Sequence, residues 1–165
     1  MRLHGTPSAP NLSRGESMLH LKKILYPTDF SSYSNQAYLY AVSLAESYQA
    51  RLNIAYVFAP GSGDTANGDR RYWRNQLESI RPANPNIPVN HVFLDGDPAS
   101  EIVRYAQDAG IDVIVLGTHG RTGVERLLMG SVAEKVMRDA PCSVMVVKMP
   151  RSAGSTEKPH MAAGV

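Results

Sequence analysis

Cysteine is almost missing from this chain: Cys142 is the only one in 165 residues. A disulfide framework within one chain is therefore excluded, a reducing cytoplasm is the expected setting, and the lone thiol reads as a small buried hydrophobe. Long apolar runs are missing as well. None approaches the roughly 20 residues that a membrane span needs, and no apolar segment of the secretory type heads the chain, so neither a membrane nor export is expected. Charge of one sign is also lacking. The formal net charge is +2, but Arg2, Arg14, Glu16, Arg151, Glu157 and Lys158 lie near the ends, and setting them aside leaves thirteen basic and thirteen acidic residues between. A neutral middle without a Lys/Arg stripe argues against a nucleic-acid-binding surface.

What remains is an ordinary globular composition, 43% hydrophobic and 19% charged, in a length that suits one domain with a full core. Residues 1–20 and 150–165 are rich in Gly, Pro and Ser and have little periodicity, so they are expected to be flexible tails around a folded domain at 21–149. Because the patterned part begins close to Met18, that residue is a candidate natural start; the intact mass of the protein made from its native locus decides the point.

The middle alternates between two periods. Five short apolar runs, KKILYPT (22–28), RLNIAYVF (51–58), VNHVFL (89–94), DVIVLG (112–117) and SVMVVK (143–148), predict strands. The fourth and fifth are β-branched and nearly continuous, as strands covered on both faces are. Helical spacing joins them: Ala37, Ala41, Leu44, Ala45 and Tyr48 after a serine-rich start; Ile102, Tyr105, Ala106 and Ala109 after the cap signal Asp97-Pro98, with Gly110 as the stop. Ser131-Val132-Ala133-Glu134 fits a capping box, with Val132, Val136 and Met137 as its helix's buried side and Pro141 ending it. Between the second and third strands, 59–71 reads as a loop, 71–80 as one short helix and 81–88 as turns. Tyr72 and Trp73 there read as packing residues. Strand–helix alternation through five strands predicts a three-layer α/β/α fold with an open parallel sheet, whose ligands bind at the strands' carboxyl ends where the strand order reverses.

The segment GTHGRTGVERLLMGS (117–131) starts at such an end. Glycine at 117 and 120 suits a turn or close backbone approach by a ligand. Gly130-Ser131 opens a helix whose first amides lack intrahelical acceptors and favour an anion. Ser131 can add a hydroxyl and Arg121 a guanidinium. A plain turn followed by a plain helix cap explains the same spacing. Walker A is excluded because the segment has no lysine, and the dinucleotide fingerprint because the first strand runs into Pro27-Thr28-Asp29-Phe30-Ser31 instead of glycines. His119 lies where a general acid or base could stand, although loop histidines are more often solvent-facing; His4, His20, His91 and His160 have no metal-ligand spacing. No catalytic residue and no protein metal site is assigned.

KKILYPTDFS, the pattern G-x2-G-x9-G-S at Gly117, Gly120, Gly130 and Ser131, GDPASEI (96–102) and the final SVMVVK together resemble the ATP-binding branch of the universal stress protein family, over about residues 21–149. The resemblance implies strand order 3-2-1-4-5. It implies that Pro27, Thr28 and Asp29 meet adenine and ribose, that the backbone of Val57 meets the adenine edge, and that Leu116 packs on the base. It implies that Gly117, His119, Gly120, Arg121, Gly130, Ser131 and Val132 surround ribose and phosphates, with Mg2+ or Mn2+ held mainly by the phosphates. It also implies a homodimer through the last strand, 143–148, and a role in stress survival as a nucleotide-dependent regulatory module. A slow ATPase or phosphate-transferring enzyme, and a nucleotide-independent adaptor, are the alternatives.

Overall fold

A computed structural model describes residues 20–59, 70–118 and 129–148; the two expected tails, most of the expected 59–71 loop and the central part of the glycine-bearing segment lie outside the described residues. Each apolar run has become a strand: β1 (Lys23–Pro27), β2 (Arg51–Phe58), β3 (Val89–Asp95), β4 (Val113–Gly117) and β5 (Ser143–Val147). The helices between them are α1 (Ser32–Tyr48), α2 (Arg70–Ser79), α3 (Pro98–Ala109) and α4 (Ser131–Asp139). All strand pairs are parallel and the order is β3-β2-β1-β4-β5, as the resemblance implied. The chain moves outward from β1 to β3, then crosses back through α3 to lay β4 on the other side of β1.

The period of two along each strand sorts the core into two layers. Ile24, Tyr26, Leu52, Ile54, Tyr56, Val113 and Val115 face Ala37, Ala41 and Ala45 of α1 and Trp73 and Leu77 of α2. Leu25, Ala55, Ile114 and Leu116 face Ala99, Ile102 and Ala106 of α3 and Ala133 and Val136 of α4. Tyr72, on the outer side of α2, is exposed, whereas Trp73 packs as expected. The alanine stripe of α1 has no side chain beyond Cβ, so that helix lies close on the sheet.

The helix signals hold at both ends of α3. Asp97 is the N-cap, accepting from the Ser100 amide at 3.0 Å, Pro98 opens the helix, and Gly110 ends it with φ 61°. At α1 the N-cap is Ser31, which accepts from the Ser34 amide at 3.3 Å. At α4 the expectation fails. Gly130, not Ser131, is the N-cap; no side chain caps the helix, and there is no capping box. The chain enters from an extended Gly130 held by its own backbone bond, so Ser131 is already in the first turn. Val136 is buried as expected, but Val132 and Met137 are exposed, at 37% and 48%, and Ala133 is buried with Val136 instead. This short helix meets the core through a face only two residues wide, and Val132 and Met137 fall on its flanks.

Candidate functional site

An open parallel sheet takes ligands where its strand order reverses, here at the carboxyl ends of β1 and β4, neighbours whose chains leave toward α1 and α4. Thr28 prolongs β1 by donating its amide to Ala55 O at 2.8 Å. Its buried hydroxyl accepts from the Phe30 amide at 3.0 Å and lies 3.2 Å from the Ser34 hydroxyl. Beneath it, burial raises the phenol pKa of Tyr26, while hydrogen bonds with Thr28 and Ser34 oppose the rise. Half-buried Asp29 accepts from the Ser31 amide through Oδ1 at 3.0 Å, a local turn bond of the kind Asp makes readily. Asp29 is thus a turn residue and not the N-cap of α1, and a carboxylate can accept several hydrogen bonds at once.

Leu116 of β4 and Ala133 of α4 are buried in one cluster, and Val57, near the end of β2, and Met129 pack against it. Gly117 has a specific reason to be glycine. A Cβ there would stand 2.6 Å from Tyr33 O and 2.8 Å from its carbonyl carbon, so the first turn of α1 already occupies the approach that the sequence reading left for a ligand. Thr118 follows with two backbone bonds: its amide donates to Val147 O at 3.1 Å, and its carbonyl accepts from the Gly130 amide at 2.7 Å. The second bond closes the loop on itself and sets the start of α4 beside the end of β4.

The start of α4 is suited to an anion. Its N-cap is a glycine that offers no side-chain acceptor, Ser131 is exposed, and the first amides of any helix lack intrahelical partners. Lys135, one turn on, donates to Asp97 at 3.0 Å and to the Ser100 hydroxyl at 2.8 Å, tying α4 to the N-cap of α3. Hydrogen bonds from the Ser100 hydroxyl and amide, then from Lys135, lower the Asp97 pKa to about 2.

Pro27, Thr28, Asp29, Val57, Leu116, Gly117, Gly130, Ser131 and Val132 therefore gather at one end of the sheet, whereas His119, Gly120 and Arg121 lie outside the described residues. Three participants had gone unassigned. Thr118 and Lys135 left no trace in spacing; Phe30, with φ 62°, was marked only by standing where a turn had to be. Among the described residues, no group of three or more His, Cys, Asp or Glu side chains could hold a metal ion, and no helix is long and apolar enough to cross a membrane. Cys142 is partly buried, and burial raises its pKa, with Asp112 adding to the rise.

The Universal stress protein family model matches residues 20–148. The chain belongs to the universal stress protein family. It is 35% identical over 152 residues to universal stress protein MJ0531 of Methanocaldococcus jannaschii, a match covering 85% of this chain and 88% of that one. Among solved structures, protein MJ0577 of the same organism aligns with a TM-score of 0.68 at 28% identity, over 81% of this chain and all of that one. A universal stress protein from Archaeoglobus fulgidus in complex with dAMP shares the fold at 20% identity and a TM-score of 0.56, over 78% of this chain and 98% of that one.

Proposed function

We propose that this universal stress protein binds ATP in the crevice between β1 and β4, and that the nucleotide acts as a conformational ligand of a cytoplasmic stress-response module. One observation carries the reading: the Gly130–Thr118 hydrogen bond brings an uncapped helix N-terminus to the end of β4, beside the turn that holds Asp29. The crevice then offers an apolar floor of Val57 and Leu116 for a base, a carboxylate for ribose hydroxyls or the adenine amine, and helix amides with the Ser131 hydroxyl for phosphates. Gly120, Arg121 and His119 complete the phosphate side in this reading. Mg2+ or Mn2+ suits the phosphates better than the protein, because the donors around the crevice are amides and hydroxyls, with Asp29 as the one assigned carboxylate. The fold is shared with a protein that holds dAMP.

The test is to purify the protein without added nucleotide, denature it, and identify the released small molecules by mass spectrometry. Wild type should release adenine nucleotide near one per chain, and Gly130→Ala/Ser131→Ala should release little. The dihedrals of Gly130, φ −63° and ψ 149°, are ones alanine adopts freely, so the loss would not reflect a broken turn. Absence of nucleotide from both proteins, with no thermal shift on adding ATP and Mg2+, would leave the glycines as turn and cap residues.

A further inference from the structure

Phe30 occupies the left-handed region, with φ 62°, where a bulky residue is an outlier and glycine would sit without strain. The conformation is held from both sides. Its amide donates to the Thr28 hydroxyl, and the next amide, of Ser31, donates to Asp29. The Phe30 ring stacks on Trp73 of α2, with centroids 5.4 Å apart and planes at 22°, and lies 5.2 Å from Tyr56 of β2. Tyr56 and Trp73 themselves stack at 5.4 Å. Trp73 is one of the two buried residues through which α2 meets the core, the other being Leu77. Strained residues persist where the surroundings over-determine them, and they cluster at functional sites. Here the surroundings that hold residue 30 include Trp73 of α2, an element that packs on β2 and β3.

We infer that Phe30 and Trp73 are positioning residues for the nucleotide: the ring stack fixes the 28–31 turn, and with it the Asp29 carboxylate, so that seating of α2 sets affinity at the crevice. The inference rests on the ATP reading of that site. It makes α2, in the connection between β2 and β3, a lever on nucleotide binding, and reciprocity requires bound nucleotide to tighten α2 in return.

A double-mutant cycle tests it, with ATP and Mg2+ titrated calorimetrically into folded protein well below the melting temperature of every variant. Trp73→Leu should weaken ATP by about fivefold, the lower end of ordinary coupling between sites. Trp73→Phe, which keeps a stacking ring, should restore most of the affinity. In the Phe30→Gly background, where the left-handed turn is kept without the ring, Trp73→Leu should add no further loss. Equal loss in both backgrounds, or no loss in wild type, overturns the inference while leaving the ATP site standing. A wild type that gives no ATP heat removes both. Trp73 is the chain's single tryptophan, so its emission should also shift on ATP binding in wild type and not in Phe30→Gly; an equal shift in the two would count against coupling through the ring.

Discussion

A methyl group at position 117 would press on the backbone of Tyr33, which has no freedom to step aside within the first turn of α1. Gly117→Ala is therefore expected to destabilise the fold by about 3 kcal/mol, the upper end for overpacking a filled site, with urea denaturation as the measurement. A change within about 0.5 kcal/mol would mean that α1 is less tightly docked than the distances indicate. Asp29 calls for a different measurement. Its turn bond to Ser31 can be kept by an asparagine oxygen, so Asp29→Asn should leave stability nearly unchanged and weaken ATP by about tenfold through loss of charge-assisted hydrogen bonds. Direct titration separates the two effects. Position 117 also shows what a sequence hides. Its glycine was legible as special, but the reason, a helix backbone against the strand end, depends on residues more than eighty positions away. Phe30 was illegible for the opposite reason, because nothing in its chemistry announces a left-handed backbone.

Among the elements, the strands and α3 were readable because local signals and tertiary packing agree there: alternating apolar residues found two covered faces, and Asp97-Pro98 with Gly110 framed one helix. At α4 they disagreed. The serine that looked like a cap is displaced by one position because the Thr118–Gly130 bond fixes where the helix begins, a constraint no local pattern encodes. Held at the core by few side chains, α4 leans on its tie to α3 through Lys135 and Asp97, an exposed pair of modest strength. The sign of its pH dependence follows from the lowered Asp97 pKa. The folded value, about 2, lies below the unfolded one, so the contribution is complete above the unfolded pKa and is lost as pH falls through the folded one. Asp97→Asn keeps a capping side chain without the charge. Its stability deficit in urea should be largest near neutral pH and close as pH falls from about 5 to about 2. A deficit that stays constant over that range would show that the Asp97 charge contributes nothing.

For the whole molecule, the family and the sheet order were legible because the motifs lie at strand ends, where an α/β sheet places its ligands. The assembly is a proposal. β5 pairs only with β4 among the described residues, and Met145 on it is exposed, so an apolar edge is open to a second copy of the chain. Light scattering at micromolar concentration should give a dimer mass for wild type and a monomer for Met145→Lys; a monomeric wild type would exclude pairing through this edge. The central claim, that ATP occupies the crevice between β1 and β4, is tested most directly by following the melting temperature of nucleotide-free protein as ATP with Mg2+ is raised. The account predicts a continuous rise with the logarithm of ATP concentration, reaching about 2.7 kcal/mol of added stability at a hundredfold excess over Kd, and no such rise for Gly130→Ala/Ser131→Ala. A flat response in wild type, or an equal rise in the variant, would contradict it.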